Sequence, residues 1–264
     1  ITNSMRWAAA QVTSMQIEAA REGGRIDAAA LRANIDREIT SLFGESDDPQ
    51  YQRIVEQVRA IATKVGTAIR VQSPPTIDGE LDEEMWARTD VLTDFILWGE
   101  TGLADHATRV RLAHDGTSLY VALECEQDTS SLVTRAAPRD GSAWKDDSVE
   151  IFINPRRGDY EYAQFIINAA GAFFDQWRRT EDQTYAEALA HNFDADWSAK
   201  VQDGKWTAEL RLPLDALGVD PQQQELTTMN FIRNVQGPEA EISAWFASIR
   251  AHADPAGRGW IVFE

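Results

Sequence analysis

Between positions 141 and 154 the chain reads Gly-Ser-Ala-Trp-Lys-Asp-Asp-Ser-Val-Glu-Ile-Phe-Ile-Asn, and its richest chemistry is concentrated there. Side chains alternate across an extended chain, so Val149, Ile151 and Ile153 share one face, while Ser148, Glu150, Phe152 and Asn154 share the other. The first face is core. The second presents a carboxylate and an aromatic ring, and the loop that feeds it carries Trp144 beside the acidic pair Asp146 and Asp147. A pyranose has a flat C–H face and a rim of hydroxyls; it needs an indole to stack on and carboxylates or amides to bond the rim. The same pattern also describes a core tryptophan at a strand end beside solvated acids.

Gln164 and Asn168 fall on one face of the next apolar run, where two amides can read hydroxyls or form a polar ladder satisfied within the sheet. Acids cluster at Asp78, Glu80, Asp82, Glu83 and Glu84, and again at Glu124, Glu126 and Asp128. These offer oxygen ligands for calcium, although a solvated acidic face produces the same runs. There is no His-Glu-x-x-His, nucleophile elbow or phosphate loop, and carboxylate pairs mean little in a chain with 43 acidic residues.

The elements that position these residues change character along the chain. Met5, Ala8, Val12, Met15 and Ala19 recur at helical spacing over Ser4 to Arg21, and Leu31, Ile35, Ile39 and Leu42 do so over Asp27 to Phe43. A third helix opens at Asp48-Pro49 and carries Tyr51, Ile54, Val58, Ile61 and Val65. Ser73-Pro-Pro75 is a stiff junction that no helix runs through. Beyond it the period is two. Strands are expected at Thr108–Leu112, Ser118–Glu124, Ser148–Asn154, Ala163–Asn168, Trp206–Leu212, Leu226–Arg233 and Trp260–Phe263, with single helical turns at Leu81–Trp86 and Leu214–Gly218. The predicted architecture is a helical segment over 1–71 followed by an antiparallel β-sandwich, jelly-roll or immunoglobulin-like, over 75–264. Trp86, Trp206 and Trp260, set among apolar neighbours, are expected to fill its core.

A net charge of −18 disfavours nucleic acid and anionic membranes as partners. Cys125, the single cysteine, forms no disulfide within one chain. The start Ile1-Thr-Asn-Ser carries neither an initiator Met nor a signal peptide, so a piece of a longer chain is expected, with the helices as the tail of an upstream domain or a linker bundle.

Three stretches, taken in order, resemble carbohydrate-binding module family 9. They are Pro75-Thr-Ile-Asp-Gly-Glu-Leu-Asp-Glu-Glu-Met-Trp86, then Thr108-Arg-Val-Arg-Leu-Ala-His-Asp115 with Ser118-Leu-Tyr-Val-Ala122, then Trp144-Lys-Asp-Asp-Ser-Val-Glu-Ile-Phe-Ile153. The resemblance continues through Ala163–Asn168, Trp206–Pro213, Asn230-Phe-Ile-Arg-Asn234 and Asp254-Pro255, and so covers about 75–264. It implies a non-catalytic, saccharide-binding sandwich appended in cis to an upstream polysaccharide-active catalytic domain, extracellular or periplasmic in a bacterium, with structural calcium. Trp144 would be one aromatic wall and Glu150 the hydroxyl acceptor, with Gln164, Asn168, His252 and Arg233 completing the rim.

Two positions depart from the family pattern. Ile166 stands where a strand arginine follows the glutamine, and His252 stands where a second tryptophan precedes Asp254-Pro255; an imidazole stacks over less area. Arg233, Trp245, Arg250 and Trp177 are the nearest substitutes by type. Two other readings share this outline. One is a protein-docking sandwich. The other is a haem-binding sandwich drawing ligands from Met85, Met229, His106, His114, His191 and His252.

Overall fold

A computed structural model describes residues 13, 15–18, 26–44, 46–99, 102–135, 139–155, 160–222, 226–246 and 258–264. The chain divides into Ile1–Gly66 and Thr67–Glu264. In the first unit α1 spans Ala28–Phe43. Asp27 caps it by accepting from Ala30 N, and the N–H of Gly44, at φ 67°, returns to Thr40 O. Its buried residues are Ala28, Leu31, Ile35 and Ile39, whereas Leu42 in the last turn is exposed. α2 follows over Pro49–Ala62. Of the first expected helix only Thr13 and 15–18 are described, and there Thr13 and Ile17 are buried while Met15 is exposed, so the inward stripe is offset from the one predicted.

The helical segment ends earlier than 71. Strand β1, Val65–Arg70, enters the sheet by pairing in parallel with β3, Ala68 opposite Leu112 and Arg70 opposite His114. Val65 reads as the last apolar position of the helix, but Val65, Thr67 and Ile69 also alternate as β-branched residues, and strand pairing decides between the two periods.

The remaining strands are β2 Ile96–Leu97, β3 Thr108–His114, β4 Ser118–Glu126, β5 Ser148–Asn154, β6 Tyr162–Asn168, β7 Phe173–Arg178, β8 Asp196–Gln202, β9 Lys205–Pro213, β10 Leu226–Val235, β11 Glu241–Ala244 and β12 Gly259–Phe263. They join in the order β7-β6-β5-β10-β12-β1-β3-β4-β9-β8, with β11 added to β10 and β2 added to β11. All seven expected strands are present; β1, β2, β7, β8 and β11 are additional. Short helices α3 (Glu84–Arg88) and α4 (Tyr185–Leu189) belong to the unit, and Leu214–Gly218 forms a single turn, as expected, with Leu217 N donating to Pro213 O at 3.2 Å.

The strand path folds over on itself to make a sandwich. Val149, Ile151, Ile153, Phe165 and Phe231 from one layer pack against Val110, Leu112, Val121, Leu123 and Leu210 from the other. Each such side chain contributes about 1.5–3 kcal/mol by leaving water. Trp86, Trp206 and Trp260 are buried as expected. Among the described residues no helix is long and apolar enough to cross a membrane.

The stretch Ile77–Trp86 is fastened to the outside of β9. Gly79 has φ +88°, and a Cβ there would come within 3.1 Å of the Ala199 carbonyl carbon. Glycine is required on both counts. Glu209 on β9, fully buried, accepts from Gly79 N at 3.0 Å, Asp78 N at 3.2 Å and Trp86 Nε1 at 2.9 Å. Burial pushes its carboxyl up to about 7 despite these three donors.

Candidate functional site

The outer face of β5 and its neighbours carries a polar row. Glu150 lies opposite Ile166 on one side and Ile232 on the other, so its polar contacts run diagonally, to Gln164 on β6 and Asn234 on β10. Gln164 Nε2 donates to Glu150 Oε2 at 2.7 Å, and Asn234 Nδ2 donates to Glu150 Oε1 at 3.0 Å and to Ser148 Oγ at 3.2 Å. Gln176, directly opposite Gln164 on β7, donates through Nε2 to Gln164 Oε1. Relative exposures are 4% for Glu150, 9% for Gln164, 6% for Gln176 and 2% for Asn234.

The row has a direction, set by its chemistry. An ionised carboxylate only accepts, so Gln164 must turn its NH2 to Glu150 and its carbonyl to Gln176, which in turn offers its own NH2. The chain of donors ends at Gln176 Oε1, a buried acceptor with no hydrogen-bond donor among the described residues. An orphaned buried carbonyl costs about 1–3 kcal/mol, which a ligand hydroxyl donating to it would recover.

Aromatic and apolar groups flank the row. Trp144 sits on a 3-10 turn, Ala143–Lys145, half-buried and edge-on to Phe174 at 5.6 Å and 81°. Phe174 shares the β7 face that carries Gln176, so the indole stands beside the row. Ile166 packs with Ala143 and Phe174, filling with apolar surface the place where the resemblance implies an arginine. Phe152, Tyr162, Ile232 and Ala244 form the other flank, with Trp98 packed against them and the Arg258 guanidinium 5.3 Å over Tyr162.

Of the residues predicted from sequence, the structure thus brings together Trp144, Glu150 and Gln164. Asn168 lies on the same face but is absorbed by the β6–β7 hairpin: its Oδ1 accepts from Ala170 N at 3.0 Å and Ala172 N at 2.7 Å, and its Nδ2 donates to Asp146 at 2.9 Å. Asp146 and Asp147 are likewise buried scaffold. The first accepts from Arg135 N, and the second from Val133 N and Gln236 N.

Arg233 is a correction. It pairs across from Val149, on the core side of the sheet, is 0% exposed, and lies 4.9 Å over Trp206. It donates to Gln127 Oε1 and to Asn234 O at 3.0 Å, while burial lowers its pKa. Trp177 and Trp245 are also core residues. His252 and Arg250 lie outside the described residues.

Sequence reasoning missed Gln176 and Asn234. The alternation in Phe173-Phe-Asp-Gln-Trp177 signals β7, and the alternation that places Arg233 beside Val149 puts Asn234 beside Glu150.

Several of the eight acids considered for calcium have partners within the protein. Glu80 pairs with Lys200, Glu124 with Arg109 and Lys205, and Glu126 with Arg109, while Glu83 accepts from Thr76 N. Among the described residues no group of three His, Cys, Asp or Glu converges on a metal position. Nor do the candidate haem ligands that the structure describes meet. Met85 and Met229 lie in separate core clusters, His114 Nε2 is 3.0 Å from Glu264 O, and His191 packs on Trp177 and Phe193.

The chain matches the family described as carbohydrate family 9 binding domain-like over residues 77–261, and it belongs to that family. It is 24% identical over 154 residues, 52% of this chain and 69% of the relative, to a protein of Arthroderma benhamiae named "Extracellular protein". Its fold is similar to a protein of Bacteroides uniformis assigned to carbohydrate binding, with TM-score 0.60 and 17% identity over 76% of this chain and 99% of that one. A family 9 module of Caldicellulosiruptor kristjanssonii in complex with cellotriose gives TM-score 0.56 at 16% identity, covering 76% and 93% of the two chains. The same organism's module in complex with glucose gives 0.54 at 16%, covering 75% and 95%.

Proposed function

We propose that this chain is a non-catalytic module that binds a glucose-type saccharide against Trp144, over the row formed by Glu150, Gln164, Gln176 and Asn234. The observation that carries the reading is the directed hydrogen-bond chain ending at the unsatisfied Gln176 Oε1. The indole covers the C–H face of a ring, Gln176 Oε1 accepts from a hydroxyl, and Glu150, fixed by two amide donors, holds the row in register. Cellotriose and glucose, the sugars in complex with the Caldicellulosiruptor modules, support this choice of ligand. The module is an appendage of a longer, secreted polysaccharide-active enzyme, a setting in keeping with the extracellular relative.

A glycan array followed by calorimetric titration with glucose and cellotriose tests the reading. Binding to gluco-configured sugars that Trp144→Ala and Glu150→Gln both weaken is the expected result. No binding across the array would overturn it and leave a protein-docking sandwich, and release of reducing sugar by the chain alone would overturn its non-catalytic part.

A further inference from the structure

Past Gln176 the outer face of β7 carries Arg178, two residues further along the strand and directly across from Tyr162 on β6. It is half-buried, and its Nε is a buried donor with no acceptor among the described residues. Arg109, Arg139 and Arg211 each meet a carboxylate, whereas no carboxylate among the described residues meets Arg178. Burial raises the pKa of Tyr162, and Arg178 is the first of the charges that pull it back, which sets the guanidinium near that hydroxyl on the outer face.

Gln176 and Arg178 thus leave an acceptor and a cationic donor unmet among the described residues, roughly 7 Å apart along the strand, about the width of one sugar ring. A buried donor without a partner is rare in folded proteins, and a charged one costs more than a neutral one. A plain hydroxyl satisfies Gln176. Arg178 calls for an oxygen that accepts and carries charge, since a guanidinium only donates and its planar fork matches a carboxylate or a sulfate. The carboxylate of the row does little to oppose such a group. Glu150 lies opposite Ile166, two strands and about four residues from Arg178, which the sheet spacings put at roughly 16 Å. Repulsion at that range is smaller than a charged hydrogen bond at contact, and both Glu150 oxygens are already taken by Gln164 and Asn234.

We propose that the β7 end of the Glu150 row, Gln176 with Arg178, is a subsite for an anionic group on the sugar, so that the saccharide this site selects is an acidic one, a uronate or a sulfate ester of a gluco-configured ring. The proposal rests on the reading of the Glu150 row as the sugar site and names the class of sugar that it takes.

The test is calorimetric titration of the full chain with glucose, glucuronate, the neutral amide of glucuronate and a sulfate ester of glucose. Glucuronate or the sulfate ester should bind roughly tenfold tighter than glucose, the size of effect of one charged hydrogen bond, and the tighter of the two names the source of the charge. The amide, which keeps the shape of glucuronate without its charge, should show no such gain. Arg178→Gln should bring the acidic sugar down to the level of glucose, and Arg178→Lys, which keeps a positive charge without the fork, should restore part of the preference. Acidic sugars that bind no tighter than glucose, or a preference that survives Arg178→Gln, overturn the proposal and leave the Glu150 reading standing. If Arg178→Gln does not fold, the wild-type comparison of charged with neutral sugars decides by itself. Binding of none of the four sugars sinks the Glu150 reading, and this one with it.

Discussion

Glu150 and Gln164 are joined across the β5–β6 pair by a 2.7 Å hydrogen bond in which the amide donates to the carboxylate. That one contact polarises the row, because the carboxylate fixes which end of Gln164 faces Gln176. Glu150→Gln keeps the shape and removes the polarity, so each amide can turn either way. Affinity for a bound glucan should fall by about 1.5–3 kcal/mol. Glu150→Ala should in addition lower stability by about 1–3 kcal/mol, since Gln164 and Asn234 are left buried with unpaired N–H groups. Calorimetry and urea denaturation of both variants provide the check, and unchanged affinity in Glu150→Gln moves the site elsewhere.

Trp144→Ala should cost about 1–3 kcal/mol of affinity if the indole covers a sugar face. Its cost in stability should be smaller, because the ring is half-buried and meets Phe174 only edge-on. A melting temperature that collapses while affinity per folded molecule holds would make Trp144 scaffold.

Glu209 governs a pH dependence. Its folded pKa of about 7 exceeds its ordinary 4.5, so the folded state holds the proton more tightly. The stability this gives is fully present below pH 4.5 and is lost as pH rises through 7, up to about 3 kcal/mol in all. Glu209→Gln removes the titration and sets an amide N–H against one of three N–H donors. The wild type should therefore melt well above the variant at pH 5, and the gap should narrow by pH 8; parallel melting curves across that range would refute the assignment.

Arg233→Ala should destabilise by about 3 kcal/mol or more, leaving a cavity beside Trp206 and stripping Gln127 Oε1 and Asn234 O of their donor. Denaturation measures it directly. Sugar affinity of the folded fraction should change little, since the guanidinium lies on the core face; loss of affinity without loss of stability would return Arg233 to the ligand side.

Gly79→Ala meets both a left-handed φ and a 3.1 Å backbone contact, so a loss of about 1–3 kcal/mol is expected in thermal melts.

What the sequence by itself determined was direction. Alternation over Ser148–Asn154 placed Glu150 opposite in sense to Val149, and the helical spacing of Leu31, Ile35 and Ile39 laid out α1, because both follow from the local backbone period. Partnership was decided by the tertiary structure. Gln176 and Asn234 meet the row, Asn168 and Asp146 are taken up by a hairpin, Arg233 turns into the core, and Val65–Arg70 leaves the helical stripe for a parallel pairing with β3, all through which strands become neighbours and in what register. Those contacts join residues far apart in the chain, and no local periodicity encodes them.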